Sequence, residues 1–83
     1  MAEYAFWINS QHNVHWHLDQ RPEVGDVVDF GVGYLDGNGL YRVTGLNMDV
    51  LSELRTAGGD YTVEPTTLRN GEVPILGLRS QQQ

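Results

Sequence analysis

The stretch that decides the fold class runs from Glu23 to Leu46 and reads EVGDVVDFGVGYLDGNGLYRVTGL. It predicts a β-hairpin, because two alternating segments flank Asp36–Gly39, and glycine and asparagine tolerate the positive φ of tight turns. The reversal can be centred on Asp36-Gly37, on Asn38-Gly39 or on all four residues. These registers differ by two-residue steps, so each puts the same side chains on one face. That predicted inner face carries Val28, Phe30, Val32, Tyr34, Tyr41 and Val43.

A first hairpin is predicted upstream of this stretch. Residues 4–9 alternate, with Tyr4, Phe6 and Ile8 on one side, and residues 14–19 alternate again after a polar loop. The inner side chains of the second strand are then Val14, Trp16 and Leu18.

Downstream, a further strand is predicted at residues 61–64, and a third hairpin is predicted to join residues 66–69 to residues 72–78. The turn is Asn70-Gly71, a pair that favours type I′ geometry. Pro74 has no N–H to donate, so the last strand is expected at a sheet edge or a bulge.

One helix is predicted, from Asn47 to Ala57. Its apolar residues recur at helical spacing, with Asn47 as the N-cap and Gly58-Gly59 as the terminator. About three turns of helix are not stable alone, so this helix must pack on the sheet. The stripe consists of Met48, Val50, Leu51, Leu54 and Ala57.

These elements predict a mostly β (α+β) domain over residues 1–79, with a disordered tail at residues 80–83. The architecture is a small antiparallel barrel or curled sheet of five to seven short strands with one short helix. The Pro-x-x-Gly-Asp-x-Val entry at Pro22–Val28 and the Tyr-x-Val strand at Tyr41–Val43 resemble SH3-like barrels. This likeness covers less than a third of the chain.

The composition excludes several classes of function. The net charge is −6, and all five positive residues are arginines, so the basic patch of a nucleic-acid-binding protein is missing. The chain has no cysteine, no signal-peptide pattern and no apolar stretch approaching the ~20 residues of a membrane span. We therefore expect a soluble, cytoplasmic protein without nucleic-acid or membrane partners and without a cofactor.

Two histidines form the candidate metal site. On a strand, His15 and His17 point the same way with Cα atoms roughly 6.5 Å apart, and Asp19 continues that face. Imidazoles at this spacing can share one metal ion, with Asp19 as a third ligand. The alternative is an ordinary solvated outer face, opposite the inner side chains of the same strand.

Trp7 is the candidate binding residue, because its place in the first strand turns it outward, on the same side as His15 and His17. Exposed tryptophans are enriched at binding hot spots, although curling of the sheet could also bury this side chain. No motif for nucleophilic or acid–base catalysis is present, so no enzymatic activity is expected.

The sequence therefore predicts a non-enzymatic protein-interaction module: an inhibitor, adaptor or assembly component. It would bind a protein partner, or itself, through Trp7, His15 and His17. The alternative is a metal- or small-ligand-binding protein, possibly an enzyme, that uses His15, His17 and Asp19.

Overall fold

Five strands form one mixed sheet in the computed structural model, which describes residues 2–75. The sheet curls into a half-barrel with the strand order β2-β1-β5-β4-β3. Strands β1 and β5 are parallel, and the other neighbours are antiparallel. The strands are β1 (Ala2–Trp7), β2 (Asn13–Leu18), β3 (Val27–Asp29), β4 (Leu40–Leu46) and β5 (Asp60–Pro65). The predicted mostly β, curled-sheet fold is confirmed. The prediction that the sheet is antiparallel was wrong for one pair, because β5 lies parallel to β1.

The inner face of the sheet holds the core. Tyr4 lies opposite Trp16 and Phe6 lies opposite Val14, as the predicted alternation requires. The Phe30 ring packs 5.9 Å from the Phe6 ring, centroid to centroid. Aromatic contacts of this kind contribute about 0.5–1.5 kcal/mol each beyond the burial of their area. The buried cluster comprises Tyr4, Phe6, Trp16, Leu18, Val28, Phe30, Tyr41, Val43, Tyr61 and Val63.

The hairpin between β3 and β4 forms, but β3 is shorter than predicted. The strand ends at Asp29, and Gly31 and Gly33 then take positive φ angles of 102° and 94°. These angles turn the chain into a loop, which closes where the Phe30 N–H donates to the Gly39 carbonyl at 2.8 Å. The inner-face assignment was wrong for Val32, which is 80% exposed. It holds for Val28 and Phe30, which are buried.

The same loop explains two other features. Tyr34 leaves the strand but still packs on the core, with its ring 5.4 Å from that of Phe30. Gly39 has a φ of +83°, and a Cβ there would lie 2.1 Å from the Gly31 carbonyl oxygen. Only glycine fits at this crossing of two backbones.

The predicted helix from Asn47 to Ala57 was wrong. Within the described residues this segment contains a single 3₁₀ turn, Ser52–Leu54, flanked by extended backbone at Leu51 and Arg55. Of the predicted apolar stripe, Val50 alone is buried. A short helix needs an apolar face packed on the sheet, and one anchoring side chain does not supply it.

The third hairpin was also wrong within the described residues. Segment 66–75 forms no antiparallel ladder, and Ile75 instead makes an isolated parallel bridge with Val28. The Asn70-Gly71 turn is closed by the Glu72 N–H on the Arg69 carbonyl, with positive φ at Gly71 but not at Asn70. Positive φ at the second central residue alone is the signature of type II, not type I′.

The end of that predicted strand, residues 76–78, and the predicted tail, residues 80–83, lie outside the described residues. Among residues 2–75 no helix has the length and apolar character needed to cross a membrane.

Candidate functional site

A groove with a mixed apolar and polar lining lies where the end of β1 meets the loop between β4 and β5. We call it the loop groove; its volume is about 420 Å³, within the range of small-ligand sites. Strands β1 and β5 supply its floor, and residues 47–54 supply its wall. It is lined by Trp7, Ile8, Asn9, Ser10, Asn47, Asp49, Val50, Leu51, Leu54, Thr62 and Val63.

Trp7 is positioned by a buried carboxylate. The half-buried indole donates from Nε1 to Asp60 Oδ2 at 2.9 Å, and Asp60 is only 4% exposed. The other carboxylate oxygen, Oδ1, accepts the Thr56 N–H at 2.8 Å. A buried carboxylate is tolerated when its oxygens are hydrogen-bonded, and here both are. Asp60 thus fixes the indole of β1 and the end of the β4–β5 loop against each other.

The wall of the groove exposes large apolar side chains to solvent. Leu51 and Leu54 are 61% and 55% exposed, and Met48 on the same loop is exposed as well. Val50, which is 8% exposed, anchors the loop between them. Water around such side chains is displaced favourably when another apolar surface covers them. Clustered exposed apolar side chains with a polar rim mark binding sites in soluble proteins.

The electrostatic character of the groove is acidic. Asp49 is the charged residue among the described residues that line it, and no arginine or histidine is among them. Glu53, on the same loop, is exposed, and the chain as a whole carries a net charge of −6. The site is therefore suited to neutral or basic groups and disfavours acidic ones.

The two predicted histidines lie elsewhere on the outer face of the sheet. His15 lies opposite Ala5 and His17 opposite Glu3, whereas Trp7 lies opposite Asn13. The Glu3 carboxylate stands between the two imidazoles, with Oε2 2.8 Å from His15 Nδ1 and Oε1 3.9 Å from His17 Nε2. The structure thus brings His15 and His17 together on Glu3 and places Trp7 in a different site.

Asp19 lies beyond the end of β2. It lines a second groove, of about 290 Å³, together with Leu18, Arg21 and Pro74. Among residues 2–75 no group of three or more histidine, cysteine, aspartate or glutamate side chains is arranged to hold a metal ion. The structure therefore does not assemble His15, His17 and Asp19 into one such group.

Sequence reasoning missed three residues of these sites. Leu51 and Leu54 were assigned to a buried stripe because their spacing is helical, and nothing in the spacing distinguishes an exposed wall from a core. Asp60 carried no signal, since an isolated aspartate after Gly58-Gly59 is typical of a turn.

No protein-family model, curated protein or solved structure matches this chain. Its function is therefore inferred from the geometry and charge of the loop groove.

Proposed function

We propose that this chain is a small, non-enzymatic protein-interaction module that binds a segment of a protein partner in the loop groove. The observation that carries the proposal is the pair Leu51 and Leu54, each more than half exposed beside the half-buried indole of Trp7. Tryptophan is enriched among the side chains that dominate binding energy, and a surrounding apolar wall excludes water from such contacts.

The partner segment is expected to present one or two large apolar side chains flanked by lysine or arginine. Apolar anchors match the leucine wall, and basic flanks match Asp49 and the net negative charge of the chain. A second copy of this chain is a less suitable occupant, because two surfaces of net charge −6 repel each other.

Within this proposal Trp7 keeps the binding role predicted from the sequence, whereas His15 and His17 lie outside the groove. The role as inhibitor, adaptor or assembly component follows from the partner that is captured. The likeness to SH3-like barrels remains part of the proposal and rests on Pro22–Val28 and Tyr41–Val43.

The test is affinity capture with the intact chain and with the double variant Leu51→Asp/Leu54→Asp. The matched control is Val32→Asp/Val73→Asp, which places the same charges on two exposed valines outside the groove. We expect the groove variant to lose the partner, with affinity falling roughly tenfold or more, and the control variant to retain it.

Two results would contradict the proposal. Equal capture by the parent and the groove variant would place binding elsewhere on the surface. Concentration-dependent dimers in analytical ultracentrifugation that disappear in the groove variant would make a second copy the occupant.

A further inference from the structure

The chain contains two Asn-Gly pairs, at residues 38–39 and 70–71. In such a pair the glycine nitrogen can attack the carbon of the asparagine side-chain amide, because no Cβ on the glycine hinders the approach. A C–N bond forms, ammonia leaves and a cyclic imide results. Water then opens the imide to aspartate or to isoaspartate, in which the main chain runs through the side-chain carbon.

At Asn38 the fold opposes this reaction. Its Oδ1 accepts the Leu40 N–H at 2.9 Å, and its Nδ2 donates to the Thr66 carbonyl at 3.0 Å. The glycine that would attack, Gly39, is buried at the close crossing with Gly31. Rotation of the amide toward the Gly39 nitrogen would break both hydrogen bonds, and the crossing restricts the backbone movement that the ring requires.

At Asn70 the described residues impose none of these restraints. Asn70 and Gly71 are both exposed, and no atom of residues 2–75 lies within 4 Å of the position that a Cβ on Gly71 would occupy. Among residues 2–75, no hydrogen bond engages the Asn70 side chain or the Gly71 N–H. Within the described part of the chain, nothing restrains rotation of the amide, and the attacking nitrogen has no hydrogen bond to break.

We propose that Asn70 is a site of spontaneous deamidation and that the fold protects Asn38 from the same reaction. The site is independent of the loop groove and of the proposed function. Deamidation adds a negative charge, and in the isoaspartate product an extra backbone carbon, inside the turn that holds Glu72.

This turn matters because Glu72 ties segment 66–75 to the sheet. The Arg69 N–H donates to Glu72 Oε1 at 2.7 Å, and the Glu72 N–H donates to the Arg69 carbonyl at 3.0 Å. Glu72 in turn accepts hydrogen bonds from the two terminal guanidinium nitrogens of Arg42, Nη1 and Nη2. A carboxylate at residue 70 repels Glu72 and weakens its hold on Arg42.

The experiment is prolonged incubation of the purified full chain at physiological temperature and mildly alkaline pH. Digestion at acidic pH and mass spectrometry then follow the two asparagine peptides. We expect the Asn70 peptide to convert progressively to aspartate and isoaspartate while the Asn38 peptide remains intact. In denaturant both are expected to convert at similar rates, because the protection of Asn38 comes from the fold.

Conversion of Asn38 at the same rate as Asn70 in the native chain would overturn the proposal, as would an unconverted Asn70. A slow Asn38 in denaturant would show that its neighbours in sequence, not the fold, protect it. For the consequence, Asn70→Asp is compared with Asn70→Ser. The melting temperature of the aspartate variant is expected to be the lower of the two. Equal melting temperatures would show that the new charge does not affect stability.

Discussion

The inner face of the sheet and the irregular segments beside it are stabilised by different interactions. Phe6 and Phe30 on the inner face are buried among other apolar side chains. Loop 47–59, by contrast, is held by a hydrogen bond from Thr56 to the carboxylate of Asp60. Segment 66–75 is held by hydrogen bonds from Arg42 to the carboxylate of Glu72. Apolar burial is spread over many contacts and does not depend on pH. Among residues 2–75, each of these carboxylates instead accepts a few hydrogen bonds, two at Asp60 and three at Glu72. Substitutions should therefore distinguish the two regions.

The largest effect is expected on the inner face. Phe30→Ala removes a buried ring that contacts Phe6, Tyr34 and Tyr41, and we expect a loss of about 3–5 kcal/mol in the free energy of unfolding. Urea denaturation measures it, with Val32→Ala as the control, because Val32 is exposed and should change stability by no more than about 0.5 kcal/mol. Similar midpoints for the two variants would show that the inner face is not the main source of stability.

The inner face is also the part of the fold that could be predicted from the sequence. Alternation assigned Tyr4, Phe6, Trp16 and Leu18 to one side, and the structure buries all four. Period-two alternation is informative because a slip of one residue would turn every one of these side chains outward.

The irregular segments could not be predicted in the same way. The spacing of Val50, Leu51 and Leu54 fits a helix, yet the chain buries Val50 and exposes the two leucines. The decisive interaction is the contact from Thr56 to Asp60, which local periodicity does not contain. Places where a local pattern fails while apolar side chains stay exposed are candidates for function, and this is the reasoning behind the loop groove.

An intermediate loss of stability is expected when the hydrogen bond from Trp7 to Asp60 is removed. Trp7→Phe keeps an aromatic ring but removes the N–H that Asp60 accepts, so we expect a loss of about 1–3 kcal/mol, measured by urea denaturation. The matched control is Trp16→Phe, because the buried Trp16 Nε1 has no hydrogen-bond partner among residues 2–75. Both variants shrink an indole to a phenyl ring. Because Trp16 is the more buried of the two, a cost at Trp7 that equals or exceeds the cost at Trp16 points to the hydrogen bond. A cost at Trp7 well below that at Trp16 would show that Asp60 does not depend on the indole.

A smaller, pH-dependent contribution to stability is expected from Glu72 and the hydrogen bonds that it accepts from Arg42 and Arg69. The hydrogen bonds from the Arg42 guanidinium, with a further one from the Arg69 N–H, lower the pKa of Glu72 from 4.5 to about 2. A carboxyl group whose pKa is lower in the folded chain than in the unfolded chain stabilises the fold at pH values above its unfolded pKa. This contribution is lost as the pH falls from about 4.5 to about 2.

The difference in stability between the parent and Glu72→Gln should decrease over this pH range. The difference is expected to be constant at neutral pH and to vanish toward pH 2, as measured by thermal melting across the range. Glu53→Gln is the control, since Glu53 is exposed and accepts a long hydrogen bond, 3.5 Å, from the hydroxyl of the neighbouring Ser52. A difference that persists unchanged at the acidic end would show that Glu72 contributes through packing and not through its charge.

The smallest effect on stability is expected at the wall of the loop groove. Leu51 is 61% exposed, so Leu51→Asp should change the free energy of unfolding by no more than about 0.5 kcal/mol. The adjacent Val50 is buried, and Val50→Asp places a charge in an apolar site, where it should destabilise the chain severely. The melting temperatures of Leu51→Asp and Val50→Asp, each measured against the parent, test this expectation.

If Leu51→Asp melts like the parent while Val50→Asp does not, the leucine is dispensable for folding, and its exposure needs another explanation, which binding provides. If Leu51→Asp is as unstable as Val50→Asp, Leu51 belongs to the core. The loop would then resemble the inner face, and the argument for a binding groove at this place would fail.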